Sequence, residues 1–279
     1  MLVYTIKELC RTCYTCVREC PAKAIRIVGG QAEVIDERCI ACGNCTKVCS
    51  QGAKVFLNTT DRVAKLLETD SKVAAIIAPS FPAEFADIPD HYILTGMIKS
   101  LGFEFVAEVS FGADLVADRY KKLVSESRNF YISSDCPSIV SYVKYYHPDL
   151  VDNLAPIVSP MVAMSRVIRE KYGRETKIVF IGPCIAKKAE STEIDEAITF
   201  TELREMLADK GITIENAKSV DFDQPVGGRG AIFPVARGLL QTAKISDNAI
   251  TGNIIAAEGR KNITFLRMRS GRAPKAPLL

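Results

Sequence analysis

The chain has 279 residues, 48% hydrophobic and 25% charged, with a net charge of +3 at pH 7. That is the balance of an ordinary globular protein. The charge is too small to argue for nucleic acid, and no apolar run reaches the roughly 18 residues of a membrane span.

Residues Leu2–Ile6 predict a short first strand. Cys10, Cys13, Cys16 and Cys20 follow, then Pro21, in the spacing C-x2-C-x2-C-x3-C-P, and Cys39, Cys42, Cys45 and Cys49 repeat it. This is the bacterial ferredoxin run, in which thiolates hold iron–sulfur cubanes. Three cysteines two residues apart on a tight loop wrap three corners of one cube, and the fourth reaches the other cube. Cys10, Cys13, Cys16 and Cys49 are therefore assigned to one [4Fe–4S] cluster, and Cys20, Cys39, Cys42 and Cys45 to a second. A zinc site usually takes two cysteine pairs, or one pair with histidines, and not doubled runs of four. Disulfides need an oxidising compartment. Cys10 comes too early for a signal peptide to precede it, so a reducing cytoplasm is the expected location. Between the runs, Ala24–Val28, a Gly29–Gly30 turn and Ala32–Ile35 predict a hairpin. Ala53–Leu57 closes the second half as Ala24–Val28 closes the first.

After residue 59 the texture changes to alternating strands and helices, which predicts an α/β domain over 60–279, with mainly parallel pairing, behind a two-cluster α+β ferredoxin-type domain over 1–59. A short helix is expected within 58–71. Strands are expected at Lys72–Pro79, Phe103–Val109, Phe130–Ser133, Lys177–Ile181 and Asn253–Ala257. Helical faces are marked by Leu94, Met97, Ile98 and Leu101, by Val116, Tyr120, Leu123 and Val124, and by Met161, Met164, Ile168 and Tyr172. Ser159–Pro160 is expected to cap and open the last of these. Thr199 and Glu202 form a capping box before Leu203 and Leu207, and Pro234 is expected to open a helix through Leu239 and Ala243.

Two cysteines remain, Cys136 in Ser133-Ser134-Asp135-Cys136-Pro137 and Cys184 in Ile181-Gly182-Pro183-Cys184-Ile185-Ala186-Lys187-Lys188. Each stands just past an expected strand, which places both at the carboxyl rim of an open sheet, where ligand sites lie. A helix opening at Pro137 aims its positive end at Cys136 and favours thiolate there. The alternative is two buried cysteines acting as small hydrophobes.

At these residues the chain resembles the large subunit of the [FeFe]-hydrogenases, in which a two-cubane ferredoxin module precedes a hydrogen-activating domain. Ile132–Pro137 resembles the motif T-S-C-C-P, and Pro183–Lys188 with Glu190 resembles M-P-C-x-x-K-K-x-E. Phe111–Leu115, Ser159–Pro160 and Val226–Gly228 match weaker segments. The resemblance implies that Cys136 and Cys184 ligate the cubane of an H-cluster, that Lys187 hydrogen-bonds a cyanide of its di-iron unit, and that residues 10–49 carry its electrons. The chain departs from the family where Asp135 stands for the proton-shuttling cysteine and Gly182 for a methionine. There is no tryptophan, and Asp118–Lys121 replaces expected glutamates. A carboxyl with a reference pKa near 4 is expected to relay protons poorly unless burial raises it. The family's third motif, with two further cysteines, would begin about where this sequence stops. A complete H-cluster and hydrogen turnover are therefore not expected from these residues alone. The pattern is closer to the family's sensory branch than to its fast catalytic one, with a redox partner protein or a signalling domain as the expected partner. From a different class, the α/β part could serve an electron-transfer module as a non-catalytic docking surface.

Weaker signals complete the reading. Val226–Gly230 is either a close backbone approach to a cluster or anion, or a plain turn. His91 and His147 are expected at surface or capping positions. Glu190, Glu193, Asp195 and Glu196 are expected in a polar loop. Arg260, Lys261, Arg267, Arg269, Arg272 and Lys275, with no acidic residue from Gly259 onward, are expected on a solvated face.

Overall fold

The cysteine runs are framed by two antiparallel strand pairs. In the computed structural model, which describes residues 1–127, 129–246, 254–256 and 259, β1 (Val3–Thr5) pairs with β4 (Lys54–Phe56), and β2 (Ile25–Val28) pairs with β3 (Gln31–Val34). Gly29 and Gly30 both take positive φ in the β2–β3 turn, as a two-residue hairpin requires. Each run opens after a 3-10 turn, Lys7–Leu9 or Asp36–Arg38, and continues into a short helix, α1 (Thr15–Glu19) or α2 (Asn44–Val48). The two halves therefore repeat in structure as they do in sequence.

Beyond α3 (Thr60–Leu67) the chain alternates as expected. It runs β5 (Val73–Ile77), α4 (Phe81–Glu84), α5 (His91–Ser100), β6 (Phe105–Glu108) and α6 (Ser110–Glu126). Then come α7 (Pro137–Tyr146), α8 (Pro160–Tyr172), β7 (Lys177–Gly182), β8 (Glu196–Thr199), α9 (Phe200–Asp209) and α10 (Gly238–Ala243). The sheet is wholly parallel, in the order β6-β5-β7-β8. β5 is buried along its whole length, so its sequence shows a continuous apolar run and not an alternation. Leu94 and Ile98 of α5, Met164 and Ile168 of α8, and Leu203 and Leu207 of α9 share its core. β5 pairs with β6 on one side and β7 on the other, which makes the carboxyl ends of β5 and β7 the switch point of the sheet.

A second core joins the cysteine runs to the α/β part. Tyr142 and Val143 of α7 and Ile132 pack with Cys16, Cys20, Ile25 and Ile40. The Tyr146 hydroxyl donates to the backbone carbonyls of Ala22 and Arg38 at 2.5 and 3.1 Å.

Several expectations are corrected. Phe130–Ser133 is not a strand of the sheet: Ile132 makes one lone bridge to Leu154, because its side chain is used in the second core and not on the sheet. Ser159 precedes α8, but its hydroxyl does not cap the helix; it donates to Glu190. Pro234 lies outside α10, which opens at Gly238, where a Cβ would sit 2.2 Å from the Phe233 carbonyl oxygen. Glu190, Glu193 and Asp195 do lie in a loop ahead of β8, and only the last acidic residue departs from that expectation. Glu196 begins β8, Glu193 pairs with Arg166, and Asp195 pairs with Arg169 and Lys177. His147 takes the capping position expected of it, at the C-cap of α7, and is buried there. Of the strand expected at Asn253–Ala257, only 254–256 are described, and none of these residues belongs to a named strand. The basic stretch from Arg260 lies outside the described residues.

Candidate iron–sulfur and thiol sites

All ten cysteines are thiols, with no disulfide among them. Eight converge in two hollows. One is lined by Cys10, Cys13, Cys16 and Cys49. The other is lined by Cys20, Cys39, Cys42 and Cys45. The fourth cysteine of each run thus lies with the first three of the other. The local backbone explains this: α1 and α2 stop at Cys20 and Cys49, both extended (ψ 115° and 96°), which turns each fourth thiol away from its own run. Among the described residues no three His, Cys, Asp or Glu side chains close around a single metal ion. Thiols set around a cube stand further apart than the ligands of one ion.

The thiols feel one another within each quartet. Burial raises Cys16 above the usual thiol range, with Cys49, Cys10 and Cys13 adding to the rise. Burial likewise pushes Cys45 up to about 12, with Cys39, Cys42 and Cys20 adding, and it raises Cys39. Cys10 is lowered by backbone N–H groups of Ala32 and Thr12, and Cys13 by the Thr15 side chain. Four crowded thiols in a largely apolar hollow are unfavourable as thiolates by themselves, and a coordinated metal reverses that cost by deprotonating them outright. Both quartets fit a [4Fe–4S] cube in donor number and donor softness.

The second thiol site lies at the carboxyl end of β7. Gly182 ends the strand, and a Cβ there would meet the Phe180 ring at 2.5 Å and the Ala78 Cβ at 3.0 Å. Cys184 follows, and a 3-10 turn, Ile185–Ala189, carries Lys187 and Lys188. Cys136 stands at the N-cap of α7 with Pro137 at its first turn, as expected. It arrives there from the second core and not from a strand end. The two cysteines nevertheless lie within electrostatic reach of each other: burial is the main cause that raises the Cys184 thiol, and Cys136 adds to it. Cys136 is exposed and Cys184 half-buried. These two thiols are what the residues supply here, half the four-cysteine set of a cubane. The described site therefore does not fit a complete third cluster.

Lys187 is already engaged. Its Nζ donates to the Asp135 carbonyl at 3.1 Å and lies 2.5 Å from Glu190 Oε2, an ion pair off the angle of a hydrogen bond. Asp135 meets the exception named for it, a carboxyl raised by burial. Burial pushes its carboxyl up to about 6, against the opposing pull of the Ser133 hydroxyl and Lys187. Ser133 Oγ donates to Asp135 Oδ2 at 2.6 Å, and Oδ1 is buried without a partner.

Sequence reasoning missed three parts of this region and offered a fourth, the approach at Val226–Gly230, only as one of two readings. The Tyr120 hydroxyl, pushed up to about 12 by burial, accepts from the Ser134 backbone N–H at 3.0 Å. Lys188 and Glu202 form a fully buried ion pair at 2.7 Å that pins the 184–190 turn to α9. Gly227 and Gly230 pass so close to α6 that a Cβ would lie 2.3 Å from Ser110 Oγ or 1.9 Å from the Ser110 carbonyl oxygen. The N–H groups of Gly228 and Gly230 donate to Asp114, each at 2.6 Å. The close approach read from Val226–Gly230 is therefore made to a helix and a carboxylate of this chain. Finally, Ile185 packs with Cys39, Cys45 and Val3, and a Cβ on Gly43 would meet Ile185 Cδ1 at 2.7 Å. The residue after Cys184 thus packs against the loop of the second cysteine run.

Comparison with known proteins follows this geometry. A family profile for the iron only hydrogenase large subunit, C-terminal domain, matches residues 71–271, and one for a 4Fe-4S dicluster domain matches residues 2–50. The chain is 26% identical over 252 residues to the NADP-reducing hydrogenase subunit HndD of Solidesulfovibrio fructosivorans, covering 76% of this chain and 43% of that one. It is 29% identical over 216 residues to iron hydrogenase 1 of Clostridium pasteurianum, covering 66% and 38%. The chain therefore spans about two fifths of these relatives' length. A solved variant of the [FeFe]-hydrogenase HydA1 from Chlamydomonas reinhardtii superposes with a TM-score of 0.55 at 22% identity, over 67% of this chain and 57% of that one. This last likeness is one of fold.

Proposed function

The chain belongs to the iron-only hydrogenase large-subunit family, and from that premise we propose that it is a two-cluster electron carrier serving the thiol site at Cys136 and Cys184. Cys10, Cys13, Cys16 and Cys49 hold one [4Fe–4S] cluster, and Cys20, Cys39, Cys42 and Cys45 hold the other. Such clusters supply one-electron storage at potentials set by charge, hydrogen bonding and exposure. The exposure of the thiols supports an order for the path. The first quartet, with exposed Cys13 and half-buried Cys10, is the one open to solvent, and a redox partner protein or signalling domain would exchange electrons there. The second quartet, with Cys20 buried and its other three thiols half-buried, shares a packed cluster through Cys39 and Cys45 with Ile185, one residue from Cys184. That contact is the observation that carries the reading.

At the thiol site the residues hold and orient. Lys187 fixes the Asp135 carbonyl and Glu190, Ser133 fixes the Asp135 carboxyl, and α7 presents Cys136. Residues 1–279 by themselves do not turn over hydrogen, because Cys136 and Cys184 cannot complete a cubane and borrowing a third thiol would strip a ferredoxin cluster. The role of these residues is to pass electrons to and from the site and so report redox state or hydrogen.

Iron analysis after anaerobic reconstitution tests this. The expected content is about eight irons per chain, as two cubanes require, with no hydrogen evolved from a reduced dye. A content well above eight, or an H-cluster signal in paramagnetic resonance after incubation with a synthetic di-iron precursor, would show that the site draws its ligands from elsewhere in the chain.

A further inference from the structure

Lys54 is a charged residue where a strand beside two metal clusters would ordinarily carry an apolar one. It begins β4 opposite Thr5 of β1, with 3% of its surface exposed. Its Nζ donates to Thr5 Oγ1 at 2.5 Å and to the Ala32 carbonyl at 3.3 Å, and Thr5 Oγ1 itself donates to the Ala32 carbonyl at 2.6 Å. Both partners are neutral. Among the described residues no carboxylate lies within ion-pair distance of Lys54, although fourteen other contacts of that kind are formed. Burying an ammonium without a counter-charge is strongly unfavourable, and such groups persist when a negative charge stands near.

The negative charge available is that of the thiolates. Lys54 lines the hollow of the first quartet beside Cys10, Cys16 and Cys49. Ala32, whose carbonyl its Nζ meets at 3.3 Å, packs in the core cluster that also holds Cys20, Cys39, Cys42 and Cys45 of the second quartet. One buried cation is thus within electrostatic reach of both quartets.

We propose that Lys54 is a shared positioning charge for the two iron–sulfur clusters, a fixed cation that favours the reduced form of both. The inference rests on the two-cluster reading above. Reduction adds one electron to a cluster, supplied by dithionite or an electrode, and no bond forms or breaks. The cluster becomes more negative by one unit, so a neighbouring fixed cation stabilises the reduced form more than the oxidised form and raises the potential. Because the interior is poorly screened, the effect survives moderate salt. A cation in the hollow of the first cluster also acts more strongly on that cluster than on the second.

The test is a mediated redox titration of the anaerobically reconstituted chain, followed by paramagnetic resonance, on the parent, Lys54→Met and Lys54→Arg. Iron content and the oxidised-cluster absorbance come first: about eight irons in the parent establishes the two-cluster reading, and a parent without them defeats that reading and leaves nothing for Lys54 to tune. With clusters present, Lys54→Met is expected to lower the reduction constant of the first cluster at least tenfold, about 59 mV for one electron, and that of the second by a smaller, measurable factor. Lys54→Arg is expected to keep both near the parent values although it disturbs the bonds to Thr5 and Ala32. Unchanged potentials in Lys54→Met overturn the proposal. So does a fall confined to the first cluster, which removes the sharing, or an equal fall in Lys54→Arg, which makes the role one of packing. If Lys54→Met does not retain its clusters, Lys54→Gln, which keeps a donor to Thr5 and removes the charge, is read by the same criteria.

Discussion

Removing the Glu202 carboxylate should cost this protein much of its stability and loosen the turn that carries Cys184 and Lys187. The side chains of Lys188 and Glu202 are 2% and 1% exposed, with Nζ 2.7 Å from Oε1. Glu202 Oε1 also accepts from the Thr59 backbone N–H at 2.8 Å, and Oε2 accepts from Thr199 N–H at 2.7 Å and Oγ1 at 2.8 Å, completing the capping box of α9. In Glu202→Ala the Lys188 ammonium keeps only Thr59 Oγ1 at 2.6 Å and the Ala197 carbonyl at 3.0 Å. Breaking a buried pair from one side costs about 3–5 kcal/mol, or roughly 6–20 °C in Tm for a domain of this size. Removing both partners with apolar replacements, Lys188→Met with Glu202→Leu, should recover most of it, since apolar replacement of a buried pair is often close to neutral. pH gives an independent readout. Burial already lowers the Lys188 pKa below that of a free lysine, against the raising effect of Glu202. The unfolded chain therefore binds more protons than the folded one between the folded and unfolded lysine values. Stability should rise with pH through that window, and more steeply in Glu202→Gln, where the counter-charge is gone. Anaerobic thermal and denaturant unfolding measures both effects. A loss under about 1 kcal/mol in the single variant, or a double variant as damaged as the sum of its parts, would refute the reasoning.

Other predictions rest on separate features. Cys20→Ser should cost the cluster of the second run, about four irons, and leave the cluster of Cys10, Cys13 and Cys16; loss of the latter alone, seen by resonance, would contradict the crossed quartets. Gly230→Ala must push its Cβ away from the Ser110 carbonyl, 1.9 Å off, and overpacking of this kind costs about 1–3 kcal/mol; an unchanged Tm would refute the close approach. Tyr146→Phe deletes both bonds to Ala22 and Arg38, at about 0.5–1.5 kcal/mol each, and should raise protease sensitivity near residues 20–40 without altering iron content. The measurement is limited proteolysis against iron assay, and a loss of iron with no new cleavage would count against it.

What this protein's sequence determines by itself is whatever depends on near neighbours. The doubled cysteine spacing, the Gly29–Gly30 turn, the capping box at Thr199 and Glu202, and the continuous apolar run of β5 all follow from local geometry or from burial on both faces. These are enough to expect two quartets of thiols ahead of a parallel α/β sheet. The tertiary structure decided matters that depend on distant residues. Phe130–Ser133 has the composition of a strand, yet Ile132 buries more usefully against Tyr142 and the cysteine runs than on the sheet. Asp135 has an ordinary carboxyl in sequence, and only its burial moves it to about 6. Lys54 and Lys188 look like surface lysines in sequence. Long-range packing takes both out of water, leaving Lys54 bonded to neutral partners and Lys188 paired with Glu202. Electrostatic energy depends on distance and screening through the fold and not on separation along the chain, so these charges acquire their meaning only once the chain has closed around them.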